Sequence, residues 1–253
     1  MSLLKIPLIL SSAIATQVSL SPPSSPSSNE VVRRTLNEQI IIWHVKHRLL
    51  FARVTVHLFS TILFDETIAQ VVCWAISLAE IAVTVSRATG RGNSDMIQYA
   101  VGPLLRDIRS TYITPTFLFG TAFVVAGGLL RWWCYRTLGR FFTFQLSVRK
   151  GHQLITTGPY AIVRHPAYTA NTLQFIGVLI LYGSRTSWLR DSGVLAIPGL
   201  KAIVLIWLIE RTITAICLVR RISEEEEVVK SNFGDDWKRW AKVVRYQLIP
   251  GIY

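Results

Sequence analysis

Two stretches of this 253-residue chain carry residue types that could do chemistry. The first runs from Gln145 to Tyr168 and reads QLSVRKGHQLITTGPYAIVRHPAY. Gly158-Pro159 breaks the chain into a turn, where backbone groups are free to meet a ligand. Pro166 suits the first turn of a helix, which sets Arg164 and His165 just before a helix start. Such an end carries free N–H groups and favours negative charge, so a carboxylate could use it. Tyr160 and Tyr168 offer ring faces and hydroxyls to an adenosine moiety or a cationic sulfonium. The same arginine and tyrosines could equally be anchors at a membrane surface. Residue chemistry alone leaves both readings open.

The second stretch runs from Arg221 to Tyr253 and reads RISEEEEVVKSNFGDDWKRWAKVVRYQLIPGIY. Arg221 and Glu225 share one face if the stretch is helical. An arginine fork can hold a carboxylate through two parallel bonds, and a glutamate can bind an ammonium group. By composition, however, Glu224 to Glu227 reads as a solvated helix face with local ion pairs. A third feature is Glu210-Arg211, set within the last long apolar segment. Ionisable groups at membrane depth are candidates for function, although this pair falls near a predicted membrane boundary.

The elements that would position these residues are apolar. Hydrophobic residues make up 51% of the chain and charged residues only 17%. Ordinary soluble domains carry roughly 25% charge. Mean hydropathy is +0.38. The net charge of +12 does not point to nucleic acid, because the basic residues sit between long apolar runs, as cytosolic flanks of membrane helices do. Cys73, Cys134 and Cys217 lie in apolar segments, show no metal-ligand spacing and imply no disulfide framework.

Leu3 to Leu20 is apolar and could be a first membrane helix or a cleaved signal peptide. A Ser/Pro loop follows, Ser21 to Ser28. Leu49 to Phe64 is apolar but carries Arg53 and His57, as an interfacial helix would. Ile68 to Val85 and Ile113 to Leu130 read as spanning helices, and Gly120, Gly127 and Gly128 permit close helix contacts. Residues 87–112 read as a loop. Thr169 to Gly183 and Val194 to Val219 form a helical hairpin around the polar turn Ser184 to Gly193. The hairpin returns both chemical stretches to one face. Arg131, Arg136, Arg140, Arg149, Lys150 and Arg164 flank the first stretch. Arg220, Arg221, Lys230, Lys238, Arg239, Lys242 and Arg245 populate the tail. The positive-inside rule makes that face cytosolic.

The expected fold is therefore all-α: a polytopic integral membrane protein with about five transmembrane helices, a C-terminal hairpin and a cytosolic tail. Residues 1–130 would form an N-terminal transmembrane region. Residues 131–253 would form the core, with the hairpin at 169–219 and the tail at 220–253.

The two chemical stretches together resemble the isoprenylcysteine carboxyl methyltransferase family. The resemblance covers roughly the C-terminal 110 residues. It runs through Gln145, His152, Leu154, Ile155, Gly158, Tyr160, Arg164, His165, Pro166 and Tyr168. It resumes at Arg221, Glu225, Glu226, Phe233 and Gly234 and ends with Leu248, Ile249 and Pro250. It implies a catalytic core that uses S-adenosylmethionine, with Gln145, His152, Gln153, Leu154, Ile155, Tyr160, His165, Pro166, Ala167, Tyr168 and Glu225 lining the cofactor pocket. It implies that Arg221, acting with Glu225 at the catalytic centre, binds the carboxylate of a substrate. That substrate would be the C-terminal cysteine of prenylated proteins, farnesyl or geranylgeranyl, processed at a CaaX end. The lipid bilayer is the expected surroundings and the endoplasmic reticulum membrane the expected location, with no metal and no nucleic acid as partners. Where the family often has tyrosines after Phe-Gly, this chain has Trp237 and Trp240, which keep the rings and lose two hydroxyls. The Glu224 to Glu227 run leaves the key glutamate uncertain by one position. A phospholipid N-methyltransferase, a sterol-type reductase and a non-catalytic scaffold are the alternatives. Arg221 suits a carboxylate acceptor and does little for an amine.

Overall fold

The computed structural model describes residues 2–21, 66–89, 113–143, 150–184, 187–191, 193–196 and 199–252. Everything described is helix, turn or extended connection, without a strand. In chain order the helices are α1 (Lys5–Leu20), α2 (Glu66–Thr89), α3 (Pro115–Leu138), α4 (Pro166–Gly183), the short α5 (Trp188–Asp191), α6 (Leu200–Phe233) and α7 (Asp235–Val243). Residues 22–28 of the Ser/Pro loop, the apolar run Leu49 to Phe64 and residues 90–112 of the expected loop lie outside the described residues.

Local chemistry sets the ends. Thr114 caps α3 by accepting the Phe117 N–H at 3.2 Å, with Pro115 in the first turn. The helix then runs past Leu130, the boundary expected from the sequence, because nothing breaks it before Gly139, whose φ is +52°. α4 begins at Pro166, as the proline suggests, and ends at Ser184. α6 runs without interruption from the last apolar segment into the tail and stops at Gly234, φ +53°, where α7 begins.

α3 and α4 form the most extensive helix pair. Glycine allows it. A Cβ on Gly120 would lie 2.9 Å from the Leu181 backbone N, and one on Gly127 would lie 2.7 Å from the Ala170 carbonyl oxygen. On the reciprocal face, a Cβ on Gly177 would lie 2.7 Å from the Val124 N. Gly128 faces α1 instead, against Ala15. Gln174 crosses this junction and donates to the Ala15 carbonyl at 3.1 Å, so its buried amide is satisfied.

At the other end of α1, Lys5 is buried at 3% exposure and meets Glu80 of α2 at 2.6 Å, with its ammonium 4.6 Å from the Phe117 ring centre. Towards the site end, Arg131 donates from Nε to the Ser19 carbonyl at 3.1 Å and from Nη1 to the Ala167 carbonyl at 3.1 Å. Tyr135 adds a bond from its hydroxyl to the Ser19 carbonyl at 2.7 Å. Arg131 therefore clamps α1 to the first turn of α4. Its charge, which the sequence offered as a cytosolic flank, is spent on helix ends.

Among the described residues one helix, Pro115–Phe141, is long and apolar enough to cross a bilayer, with mean hydropathy 1.4. Lys5–Leu20 and Cys73–Val85 are shorter apolar helices. Large apolar side chains stand exposed on several faces. Leu118, Phe119, Leu129 and Trp132 do so on α3, and Leu205, Ile209 and Ile216 on α6. An apolar exterior of this kind marks an interaction surface and suits lipid contact.

Candidate functional site

The start of α4 and the last third of α6 come together through Tyr168–Glu225 and Arg164–Glu226 hydrogen bonds. Gly158 takes φ +60° and opens a short 3-10 turn, Gly158–Ala161, that buries Pro159 and Tyr160. Burial, then the neighbouring Cys134 and Glu225, push the Tyr160 phenol well above its usual pKa, so it stays protonated. Its carbonyl accepts the Trp240 indole N–H at 3.1 Å, which docks α7 onto this turn.

His165 is the N-cap of α4, and its ring stacks on Tyr168 with centres 5.6 Å apart. The Tyr168 hydroxyl donates to Glu225 Oε2 at 2.7 Å. The His165 ring stands between two carboxylates: Nδ1 is 3.7 Å from Glu225 Oε2 and Nε2 is 3.3 Å from Glu226 Oε1. Arg221 lies one helical turn before Glu225, is buried at 3% exposure and acts electrostatically on the Tyr168 phenol. The structure thus gathers Tyr160, His165, Tyr168, Arg221 and Glu225 from three elements. Pro166 is buried at the helix start, and Ala167 contributes the carbonyl that Arg131 holds.

His152, Gln153, Leu154 and Ile155 lie on an extended segment nearby. The first three, with Thr156, Phe233, Asp236 and Arg239, line a cleft of about 430 Å³. That volume suits a small organic ligand. The His152 ring stacks on Phe141 at 4.8 Å and meets Phe233 edge-on at 5.6 Å. Phe233 and Glu225 stand eight positions apart on α6, about 12 Å along its axis. The cleft and the Tyr168–Glu225 pair are therefore carried about two turns apart on one helix. Gln145 lies outside the described residues.

The sequence reading placed Glu226 in the family pattern without giving it a role, and it missed Gln247. Glu226, expected on a solvated face, is half-buried and accepts from Arg164 Nε at 2.6 Å and from Gln247 Nε2 at 3.1 Å. Burial pushes its carboxyl upward, but hydrogen bonds from His165 and Arg164 outweigh it and hold the group below its usual pKa. Gln247 belongs to the final turn region, where composition gives no hint of contact. The available signal was the doubled glutamate opposite an Arg-His pair. Among the described residues, no group of three or more His, Cys, Asp or Glu side chains could hold a metal ion.

Residues 120–192 match the isoprenylcysteine carboxyl methyltransferase family. The match is confined to the central segment of this chain. This family segment holds most of α3, the Tyr160 turn and all of α4, while Arg221, Glu225 and Glu226 lie beyond it. The chain is 27% identical over 128 residues to protein-S-isoprenylcysteine O-methyltransferase B of Arabidopsis thaliana, covering 50% of this chain and 55% of that protein. It is 30% identical over 125 residues to a Delta(14)-sterol reductase of Neurospora crassa, covering 43% of this chain and 25% of that protein. A third relative is the cobalt-zinc-cadmium resistance protein CzcN of Cupriavidus metallidurans, 33% identical over 88 residues, 34% of this chain and 35% of that protein. The chain thus spans about half, or less, of the length of these curated relatives. No solved structure matches it.

Proposed function

We propose that this protein is a membrane methyltransferase that uses S-adenosylmethionine to esterify the C-terminal carboxylate of an isoprenylated cysteine. The observation that carries the reading is the pairing of Tyr168 with Glu225, one turn from the buried Arg221, beside the family segment. The Arabidopsis relative bears the name of this activity.

The residues present fit the cofactor. Glu225 supplies a carboxylate for its ammonium group, and the cleft by His152 and Phe233 supplies ring surfaces for a flat base. When bound, the cofactor supplies an electrophilic methyl group on a sulfonium. The substrate carboxylate is ionised at neutral pH, so this chain has no general base to provide. Arg221 would hold and aim that carboxylate through its fork. Tyr160 and Tyr168, both protonated, present ring faces that tolerate a cation. Catalysis then rests on proximity and orientation in a site sheltered from water.

In this reading the protein crosses the endoplasmic reticulum membrane about five times, with the site on the cytosolic face. The prenyl chain partitions into lipid and the cofactor arrives from water, so a site at their boundary serves both. The test is direct. Membranes containing the protein are incubated with radiolabelled S-adenosylmethionine and N-acetyl-S-farnesylcysteine, and base-labile volatile methanol is counted. Label above the empty-membrane control supports the reading, and its absence with folded protein sinks it.

A sterol-type reductase is the second reading, favoured by the Neurospora match. Binding of a reduced nicotinamide cofactor by the purified protein, without binding of S-adenosylmethionine, would select it.

A further inference from the structure

Glu225 and Glu226 are neighbours on α6, yet they meet different surroundings. Glu225 takes one hydrogen bond from Tyr168 and keeps 29% of its side chain exposed. Glu226 keeps 16% and has partners on both oxygens. Oε1 accepts from Arg164, and Oε2 accepts from Gln247.

Those partners belong to one construction. The Arg164 and His165 backbone N–H groups donate to the carbonyls of Tyr246 and Gln247, at 2.9 and 2.8 Å. Arg164 Nη1 donates to the carbonyls of Val244 and Arg245, at 3.2 and 3.1 Å. The Thr169 hydroxyl donates to the Leu248 carbonyl at 2.7 Å. Residues 244–248 therefore run as a strap along the turn at 164–169. Glu226 sits at its centre, gripping Arg164 on one side and Gln247 on the other.

We propose that Glu226 is a positioning residue. It fixes the 244–248 strap against the 164–169 turn, and so presents His165 and Tyr168 to Glu225 and to the cofactor. This rests on the cofactor reading above for its kinetic consequence, but not for its structural one. The adjacent carboxylates divide the labour: one braces the wall of the site and the other faces its interior. Glu226→Gln keeps the shape but removes the charge that Arg164 pairs with and turns one acceptor oxygen into a donor, which Gln247 can meet only by turning its own amide.

The experiment has two readouts on the full-length protein in detergent. The first is amide hydrogen exchange without ligand. Exchange at Arg164 and His165 should speed by about tenfold in Glu226→Gln, while α3 amides stay at wild-type rates. The second is steady-state kinetics, in which KM for S-adenosylmethionine should rise by about tenfold and kcat stay within about threefold. Unchanged exchange at 164–165 would overturn the proposal. So would a loss of kcat at constant KM, which would put Glu226 at the reacting atoms. If α3 amides also exchange faster, the variant has loosened globally, and Gln247→Ala decides the matter by the same two readings. Wild-type protein that binds no S-adenosylmethionine would sink the proposed function, and the exchange result would still stand or fall by itself.

Discussion

The α3–α4 seam and the α6 helix hold to the molecule in opposite ways. The seam is closed by absence: glycines at 120, 127 and 177 let backbone meet backbone with no room for another carbon. α6 carries no glycine to bring backbone against backbone in this way. Its apolar half leaves Leu205, Ile206, Ile209 and Ile213 exposed, and its polar half meets the start of α4 through the carboxylates of Glu225 and Glu226. Shape therefore fixes the scaffold, whereas charge and hydrogen bonding fix the site. Packing of the first kind is insensitive to small electrostatic changes and intolerant of volume. The second kind is the reverse.

That contrast can be broken from several directions. The largest expected effect is on activity: Arg221→Ala should lower methyl transfer by about 100-fold or more, and Glu225→Ala should abolish it. Protein abundance should stay near normal in both, as measured by methanol release against immunoblot of the same membranes. Full activity in either variant removes that residue from its assigned role. Next comes Lys5→Ala, which strands the buried Glu80 carboxylate and should cost about 3–5 kcal/mol in detergent unfolding. A Lys5→Met, Glu80→Met double variant should recover much of that loss, and failure to recover would mean that the charges do more than satisfy each other.

Smaller still is Gly127→Ala, which drives a methyl against the Ala170 carbonyl and Gln174 and should cost about 1–3 kcal/mol. An unchanged melting temperature there would show that the seam can spread, contrary to the contrast drawn here. The smallest is Lys238→Ala, which removes a fully exposed pair with Asp235 and should not measurably move the melting temperature.

The sequence announced some of this clearly. Proline at 166 and glycines at 120 and 127 each have one strong structural meaning, and the structure uses them so. Arg221 and Glu225 at helical spacing do share α6. Helix ends at 138 and 233 were harder, because charge after an apolar run looks like a boundary while the backbone needs a breaker to stop. Glu226 stood in the family pattern, but its role was hidden by its neighbours, since a run of four glutamates reads as a wet face until its partners at 164 and 247 are known. Lys5 with Glu80 was invisible for a similar reason: no periodicity links residues 75 positions apart.

That last pair also bears on how the protein is made. An ammonium almost wholly enclosed by protein has no comfortable seat before its carboxylate arrives. Glu80 lies on α2, so Lys5 of α1 can be buried only once α1 and α2 have met. The pair thus ties the seating of one helix to the arrival of the other.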